Sequence, residues 1–339
     1  MTSELRVGVV GAGLMGADHV ARLTHRIAGA TVSAVIEPDQ QRAAAAARQA
    51  PGARTFARVE DALDSGAADA IVIATPGRFH EQVLLPVLEA GLPVLCEKPL
   101  TDDAESSWRI LEAEQKHPHP LIQVGFMRRF DTGYQQLREL ITAGTAGELL
   151  LLHCVHRNPA VPDSYTENML VTDSLVHELD VVPWLAGAGI ASIEVRRGRR
   201  NPNSPSHLSD PVVALIELGN GVLADVEMNV SVRFGYQVVT EAVFASGTAR
   251  IGQPSGLQLQ HNGNLQVAEH QSFTTRFRQA FDTEVLDWVG AASQGRIAGP
   301  SAWDAYTVAV ASAAGVKALH TSGPVPVEQP EKPSFYAGT

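Results

Sequence analysis

The sequence predicts an α/β fold in two domains. A doubly wound parallel sheet is expected at residues 1–125, and an α+β domain with a large, open, mostly antiparallel sheet at residues 126–339. Short valine-rich runs alternate with helical patterns up to about residue 125, as they do in parallel sheets. The later apolar runs are longer and alternate with polar residues, which is typical of antiparallel sheets that have one solvated face. A chain of 339 residues with 45% hydrophobic side chains is also long enough to form two cores.

The composition excludes several classes of protein. The formal net charge is −11 at pH 7, which argues against nucleic acids and anionic membranes as partners. The two cysteines, Cys96 and Cys154, lie in dissimilar contexts, so no disulfide framework is expected. The sequence shows no secretory leader and no apolar run long enough to span a bilayer, so we expect a cytoplasmic protein.

A glycine-rich turn follows the first predicted strand. Residues 5–10 form this strand, and Gly11-Ala-Gly13-Leu-Met-Gly16 connects it directly to a helical pattern. This context favours a dinucleotide-binding turn over a purely structural one. Gly11 would make the tight turn, Gly13 would let the backbone approach a pyrophosphate, and Gly16 would let helix and strand pack closely. The N–H groups of the helix N-terminus would then face the phosphates.

An acidic residue ends the second predicted strand. Residues 31–36 lead into Glu37, about 20 residues after the last glycine, where a carboxylate binds the ribose hydroxyls of a bound dinucleotide. The same charge would repel the 2′-phosphate of NADP. The sequence therefore predicts NAD as the cofactor.

The alternation of strands and helices continues to residue 125. Helices are expected at residues 41–50, 59–65, 79–90 and 102–116. Strands are expected at residues 70–74, 93–96 and 121–125. Ligands of such sheets bind beyond the carboxyl ends of the strands, where Thr75, Glu97 and Lys98 lie. Pro99 favours an extended backbone at Lys98. We interpret Lys98 as a site residue, with a surface charge as the alternative.

The second domain is predicted to contain a sheet and three long helices. Asn220-Gly221 between two strand patterns indicates a hairpin, and Gly323-Pro324 begins an extended tail. The open face of the sheet could form a subunit interface. The predicted strands span residues 148–156, 193–197, 211–218, 222–231 and 236–244. The predicted helices span residues 131–143, 275–294 and 301–320.

The stretch Asp173-Ser-Leu-Val-His177-Glu-Leu-Asp180 is the strongest candidate for acid–base chemistry. In a helix, Asp173, His177 and Asp180 would share one face. An imidazole between two carboxylates has its charged form favoured, which suits a group that takes and returns a proton. The alternatives are a solvated helix face and a core histidine.

A second polar cluster ends the first strand of this domain. His156 and Asn158 would share a face if the strand persists, forming either a hydroxyl-binding surface or a simple turn. A metal site is the alternative, with His153, Cys154, His156, Asp173 and His177 as ligands. We predict no metal, because His153 and His156 would point to opposite faces of the strand. Cys96 lies in a buried strand, where thiols are usually inert.

Several motifs together resemble the Gfo/Idh/MocA oxidoreductases. These are the glycine turn, Glu97-Lys98-Pro99 after the strand predicted at residues 93–96, and Asp173-x-x-x-His177. Further segments are similar to the members of this family that act in myo-inositol catabolism. These segments span residues 125–131, 153–159, 173–180, 299–304 and 331–336, so the resemblance covers nearly the whole chain.

The resemblance implies NAD-dependent oxidation of myo-inositol at its C2 hydroxyl to 2-keto-myo-inositol, also called scyllo-inosose. It makes His177 the general base, has Asp173 hydrogen-bond the reacting hydroxyl, and has Lys98 orient the substrate and help the proton transfer. It also implies a cis Lys98–Pro99 bond and a homotetramer formed through the open sheet face. The implied substrate-binding residues are Arg128, His156, Asn158, Asp173, His177, Asp180 and Tyr236. The candidate cofactor-binding residues are Gly11, Gly13, Leu14, Met15, Gly16, Glu37, Thr75, Pro76, His80, Glu97 and Lys98.

Three alternatives remain open. The first is a dehydrogenase for another inositol isomer or a sugar, since Phe281 stands where similar enzymes carry a tyrosine that is expected in the pocket. The second is an enzyme that recycles a bound NAD while acting on glycosides or paired sugars. The third is a non-catalytic NAD-binding sensor, against which the intact set of Lys98, Asp173 and His177 argues.

Overall fold

The computed structural model describes residues 4–253 and 257–338. Residues 1–3 and 339, at the outer ends of the two predicted domains, lie outside the described residues. The chain divides into two compact units. The first contains the described parts of Met1–Met127, Gln279–Ala309 and Pro330–Thr339, and the second contains Arg128–Arg278 and Val310–Gln329. The sequence assigned everything after residue 125 to the second domain. In the structure, Gln279–Ala309 and the described part of Pro330–Thr339 pack within the first unit instead.

The first unit contains a six-stranded parallel sheet with the order β3-β2-β1-β4-β5-β6. The order reverses between β1 and β4, the switch point at which doubly wound sheets bind ligands. The strand β3 has two exposed residues among its three and escaped prediction. The strands are β1 (Leu5–Val10), β2 (Ala30–Ile36), β3 (Arg54–Phe56), β4 (Ala70–Ile73), β5 (Val94–Glu97) and β6 (Ile122–Gly125).

Helices connect these strands and begin at side-chain caps where the sequence supplies them. Asp39 accepts hydrogen bonds from the N–H groups of Gln41 and Arg42, and Asp103 accepts one from Ser106, which satisfies donors that a helix start leaves unpaired. The helices are α1 (Leu14–His25), α2 (Gln40–Ala47), α3 (Val59–Asp64), α4 (His80–Glu89) and α5 (Ala104–Glu114).

The second unit contains a seven-stranded sheet with the order β12-β11-β7-β10-β9-β8-β15. The pair β7 and β10 is parallel and the other neighbours are antiparallel, so the sheet is mixed. The hairpin at Asn220-Gly221 is confirmed, with Gly221 at φ +85° between β9 and β10. The strands are β7 (Leu149–Arg157), β8 (Ile190–Arg197), β9 (Val212–Leu218), β10 (Leu223–Asn229), β11 (Gln237–Phe244), β12 (Gly247–Ile251), a separate hairpin of β13 (Gln258–His261) and β14 (Asn264–Val267), and β15 (Val325–Pro326).

One helix in the second half of the chain and the C-terminal tail differ from prediction. The helix expected at residues 275–294 is divided at Phe277, which is buried and has φ −108° and ψ 18°. The tail adds strand β15 to the sheet and ends in a 3₁₀ turn, Ser334–Tyr336, instead of remaining extended. The helices are α6 (Thr132–Ala143), α7 (Val176–Ala186), α8 (Phe273–Arg276), α9 (Arg278–Ala292) and α10 (Ala302–His320).

Helix α9 belongs to the core of the first unit, apart from Arg278 at its start. Its side chains Val285 and Trp288 are fully buried in the same cluster as Val9 of β1 and Val20 of α1. Burying a large apolar side chain stabilises a fold by about 1.5–3 kcal/mol. This packing explains why a late segment of the chain returns to the first unit. Across the described residues, 4–253 and 257–338, no helix is long and apolar enough to cross a membrane.

The Asp173 stretch is not a regular α-helix from its start. A π-helical turn, Leu170–Leu175, precedes α7. The side chain of Ser174 in this turn is hydrogen-bonded to the hydroxyl of Tyr165 at 2.7 Å. Val171 lies so close to Gly315 of α10 that a Cβ there would stand 2.9 Å from its Cγ1. These tertiary contacts fix the turn, and local helix propensity does not reveal them.

Candidate active site

The glycine turn after β1 has the geometry that a dinucleotide requires. Gly11 has φ +90°, and a Cβ there would lie 2.9 Å from the carbonyl of Ala74. A Cβ on Gly16 would lie 1.9 Å from the carbonyl oxygen of Gly11, so only glycine fits. Gly13, the N-cap of α1, has open space within 4 Å of its ideal Cβ. A phosphate can therefore approach the backbone at the start of α1.

Glu37 is fixed at the carboxyl end of β2. It is 6% exposed. One carboxylate oxygen accepts a hydrogen bond from the N–H of Ala12 at 2.9 Å, and the other accepts from the N–H of Asp39 at 3.0 Å and from Arg42 at 2.8 Å. Burial alone would raise the pKa of Glu37, but these donors lower it below its ordinary value. The side chain is therefore an oriented carboxylate that suits ribose hydroxyls. Sequence reasoning did not identify its partner Arg42.

His80 connects the loops that follow β4 and β5. The ring is fully buried, with Nε2 at 2.7 Å from the carbonyl oxygen of Thr75 and Nδ1 at 2.8 Å from that of Pro99. Both ring nitrogens therefore contact the backbone, whereas the sequence predicted a direct contact with the cofactor. The Lys98–Pro99 peptide bond is cis, as the resemblance implied. The buried hydroxyl of Thr75 has no hydrogen-bond partner among the described residues, so it is available to a polar group of a bound cofactor.

Glu97 is part of a buried polar chain. Its carboxylate lies 2.7 Å from Nε2 of His19, whose Nδ1 is 3.4 Å from a guanidinium nitrogen of Arg22. Arg22 also pairs with Asp282 at 2.9 Å. The chain fixes Glu97 at the end of β5 from the side of α1.

Phe281 is packed inside the first unit. Its ring is buried, and the guanidinium carbon of Arg22 lies 5.1 Å from the ring centroid. Both residues lie in the first unit. The structure therefore packs Phe281 against a cation within this unit. The expectation that Phe281 shapes substrate choice stays a prediction.

In the second unit, side chains from β7, from the residue before β11 and from the Asp173 segment form a polar cluster. The ring centroids of His156 and His177 are 6.1 Å apart, and that of Tyr236 lies 5.9 Å from that of His156. Asp173 is exposed, His177 is half-buried and His156 is buried. The structure thus brings the predicted base, a second imidazole and a phenol together.

Asn158 is connected to this cluster through Ser174. Its side-chain amide donates to the hydroxyl of Ser174 at 3.4 Å, and Ser174 is in turn bonded to Tyr165. Burial raises the pKa of Tyr165, so its phenol remains neutral near pH 7. Strand β7 ends at Arg157, so Asn158 lies just beyond it. Sequence reasoning missed Ser174 and Tyr165, which hold the end of β7 against the π-helical turn.

Arg128 and Glu178 form a buried ion pair behind His156. Each is 1% exposed. The guanidinium binds one carboxylate oxygen of Glu178, and the other oxygen lies 3.2 Å from Nδ1 of His156. Burial would raise the pKa of Glu178, but Arg128 and His156 lower it below its ordinary value. Arg128 was predicted to contact substrate, and the structure encloses it against Glu178 and His156. Sequence reasoning missed Glu178, because helical spacing places it on a different face from His177.

Asp180 forms a second ion pair at α7. Its carboxylate is buried and accepts from Nε of Arg129 at 3.0 Å. The sequence placed Asp180 beside the base and the substrate, on the face of His177. The structure engages this carboxylate with the guanidinium of Arg129, another partner that the sequence did not reveal. The contact of Asp180 with substrate stays a prediction.

Neither cysteine has the properties of a nucleophile. Both are free and buried. Burial raises the pKa of Cys154 to about 12 and that of Cys96 well above its ordinary value. Of the proposed metal ligands, His153 is exposed and pairs with Asp225, whereas His156 is buried. Within the described part of the chain, no three His, Cys, Asp or Glu side chains are grouped to hold a metal ion.

Comparison with known proteins agrees with this arrangement. A family model described as "Oxidoreductase family, NAD-binding Rossmann fold" matches residues 5–126, and one for the GFO/IDH/MocA C-terminal domain matches residues 134–250. An inositol 2-dehydrogenase of Leifsonia xyli subsp. xyli is 62% identical over 337 residues, which cover 99% of each chain. This chain belongs to the Gfo/Idh/MocA oxidoreductase family. An inositol 2-dehydrogenase of Corynebacterium glutamicum (strain ATCC 13032) is 58% identical and covers 99% of this chain and 100% of its own.

A solved structure shares the whole fold. Myo-inositol dehydrogenase from Lactobacillus casei, in complex with NAD(H) and myo-inositol, has a TM-score of 0.95 and 33% sequence identity. The match covers 98% of this chain and 99% of the other. The Gfo/Idh/MocA member described here is therefore an NAD-dependent oxidoreductase. The predicted α/β fold and the NAD cofactor are both confirmed.

Proposed function

We propose that this chain oxidises the C2 hydroxyl of myo-inositol to 2-keto-myo-inositol. The observation that carries the proposal is the cluster of His156, His177 and Tyr236, with Asn158 held nearby through Ser174, in a chain 62% identical to an inositol 2-dehydrogenase. A cyclic polyol presents many hydroxyls and little apolar surface. Imidazole, amide and phenol groups are the partners that such a substrate needs.

The residues at the carboxyl edge of the first sheet fit NAD. The open space at Gly13 lets the pyrophosphate approach the backbone, and Glu37 binds the adenosine ribose. The hydroxyl of Thr75 has no hydrogen-bond partner among the described residues and can bind a polar group of the cofactor. His80 binds the loop after β5 through the carbonyl oxygen of Pro99, and Glu97 binds His19 of α1. These contacts stabilise the edge of the sheet. NAD, when bound, supplies the acceptor for the hydride that leaves the substrate carbon.

Three side chains handle the substrate and its proton. His177 takes the proton of the reacting hydroxyl as the carbon loses hydride, so the alcohol becomes a ketone and one proton is stored on the imidazole. Asp173 hydrogen-bonds the hydroxyl and aligns it with His177. Lys98 orients the substrate and helps the proton transfer. Asn158, His156 and Tyr236 hold the remaining hydroxyls, which is a positioning task.

The catalytic assignment predicts separable losses of turnover and binding. A positioned general base contributes about 10²–10⁴-fold, so His177→Ala should lose turnover of myo-inositol on that scale. Lys98→Ala should lose most turnover, and Asp173→Asn should lower it and shift the pH–rate profile. NAD titrations of His177→Ala and Asp173→Asn should resemble the wild type, and Lys98→Ala should still bind NAD. His261→Ala, which removes an exposed histidine on β13, is the control. A His177→Ala variant with wild-type rate and pH profile would assign the base elsewhere.

We propose that the chain assembles as a homotetramer through the open face of the second sheet. This face carries half-buried Leu151 and Val155 of β7, Leu215 of β9 and exposed Leu223 of β10. His153–Asp225 and Arg157–Glu227 ion pairs lie among these apolar side chains. A face with ordered polar pairs and an apolar centre suits association with a second copy.

We place the enzyme in the cytoplasm. Both cysteines are buried thiols outside any disulfide, which fits a reducing compartment. NAD-dependent oxidation of a small polyol needs no other location.

A further inference from the structure

The Arg128–Glu178 ion pair contacts the polar cluster at one atom, Nδ1 of His156. This nitrogen lies 3.2 Å from Oε2 of Glu178 and 3.1 Å from a terminal guanidinium nitrogen of Arg128. In a neutral imidazole, Nδ1 either donates to the carboxylate or accepts from the guanidinium, and the other ring nitrogen takes the opposite role. The choice decides what Nε2 of His156 can offer to a substrate.

The hydrogen-bonding needs of the pair favour donation to Glu178. Among the described residues, Oε1 of Glu178 binds Arg128, and Oε2 has His156 as its hydrogen-bond partner. Arg128 also interacts with the phenol of Tyr236. If Nδ1 carried a lone pair, a buried, charged carboxylate oxygen would lose its donor, which costs the full desolvation penalty of that atom. Arg128 would keep two partners in either case.

We propose that Glu178 is a positioning residue that fixes His156 with its proton on Nδ1, so that Nε2 accepts a hydrogen bond from a hydroxyl of the polyol. The proposal rests on the proposed function, because it takes the polyol as substrate. The rings of His156 and His177 are 6.1 Å apart, close enough to bind two hydroxyls of one six-membered ring. His156 would thereby hold a non-reacting hydroxyl while His177 acts on its neighbour.

The groups that surround the pair do not compete for this role near pH 7. Burial raises the pKa of Tyr236 to about 12 and that of Cys154 to about 12, and it also raises the pKa of Tyr134, so all three remain neutral. Arg276, which faces Tyr236, pairs with Asp131 at 2.7 Å. Apart from the two imidazoles, the charges that face Nδ1 are therefore those of Arg128 and Glu178.

Glu178→Gln separates this role from simple packing. The amide has nearly the shape of the carboxylate, but its carbonyl oxygen would stay with Arg128 and its NH₂ group would donate to Nδ1. The proton of His156 would then move to Nε2, which would donate instead of accept. A contact with a non-reacting hydroxyl is made equally in the ground and transition states. We therefore expect KM for myo-inositol to rise on the order of tenfold, which is the factor that 1.4 kcal/mol gives, with little change in kcat.

The tautomer can be measured directly by solid-state ¹⁵N NMR of histidine-labelled holoenzyme. The chain has 12 histidines, so the His156 signals are assigned by their loss in His156→Gln. We expect a protonated Nδ1 in the wild type and a protonated Nε2 in Glu178→Gln. Glu167→Gln is the matched control, because Glu167 pairs with Arg197 elsewhere in the same unit. It should leave both the His156 signals and KM unchanged.

Two outcomes would overturn the proposal. The first is a wild-type His156 with its proton on Nε2, a measurement that remains valid even if the variant does not fold. The second is a folded Glu178→Gln enzyme whose tautomer or KM matches the wild type. A protein with the expected tautomers that does not oxidise myo-inositol would refute the proposed substrate while leaving the hydrogen-bond assignment intact.

Discussion

At the residue scale, cofactor choice depends on Glu37 and the guanidinium that it holds. Arg42 is 58% exposed on its side chain and pairs with Glu37 at 2.8 Å. The carboxylate therefore has two effects that favour NAD. It binds the ribose hydroxyls and repels a 2′-phosphate, and it occupies an arginine that could otherwise bind that phosphate.

Glu37→Gln should raise the affinity for NADP about tenfold, because one charge-assisted hydrogen bond to Arg42 is gained and a repulsion is lost. The affinity for NAD should fall. Fluorescence titration with NADPH and NADH measures both without turnover. The double variant Glu37→Gln/Arg42→Gln is the control, and it should lose most of the gain. Equal NADP affinity in the single and double variants would show that Arg42 has no part in selectivity.

At the element scale, the C-terminal tail is fastened to the first sheet through Glu114 at the end of α5. One carboxylate oxygen accepts the N–H groups of Leu121 and Ile122, each at 2.7 Å, and the other accepts the hydroxyl of Tyr336 at 2.6 Å. Burial raises the pKa of Glu114, and these hydrogen bonds offset only part of the rise. A carboxyl group with a raised pKa binds its proton more tightly in the folded state than in the unfolded state.

This linkage predicts a pH-dependent contribution from Glu114. Its stabilising effect is fully present below the unfolded pKa, near 4.5, and is lost as the pH rises through the higher folded pKa. The free energy of unfolding of the wild type minus that of Glu114→Gln should therefore fall as the pH increases from 4. Urea denaturation at several pH values measures this difference. Glu112→Gln, which removes an exposed carboxylate on the same helix, is the control. A difference that rises with pH would contradict the predicted direction.

At the scale of the whole molecule, the open face of the second sheet carries the proposed assembly. Leu215 is half-buried there, and an arginine at this position would place an unpaired charge in an apolar interface. Leu215→Arg should therefore shift the mass measured by light scattering from about four times 36.1 kDa to a smaller species. Retained NAD binding would show that the first unit remains folded.

Leu286→Arg is the control for this experiment, because Leu286 is likewise a large apolar residue with solvent-exposed surface but lies on α9 in the first unit. It should leave the mass unchanged. A Leu215→Arg protein with the same mass as the wild type would place the subunit interface elsewhere or exclude the tetramer.

Local patterns in the sequence predicted the cofactor-binding turn and most strands and helices of the NAD-binding half of the protein. The glycine turn, Glu37 and the strand–helix alternation obey rules that act over about 20 residues, and the structure follows them closely. The hairpin at Asn220-Gly221 was predictable for the same reason, since two neighbouring residues determine the turn. The motif Asp173-x-x-x-His177 pointed to His177, which the structure places beside a second imidazole.

Which partner each buried polar group has depends on contacts between distant parts of the chain. Each of three ion pairs that include a buried group joins residues that are far apart in sequence. The separation is 50 residues for Arg128–Glu178, 51 for Arg129–Asp180 and 260 for Arg22–Asp282. The same holds for the π-helical turn before α7, which Tyr165 and Gly315 stabilise from elsewhere in the chain. A buried charge without a partner costs a large free energy of desolvation, so each of these charged groups is paired. The fold, not the local spacing, determines which partner is near.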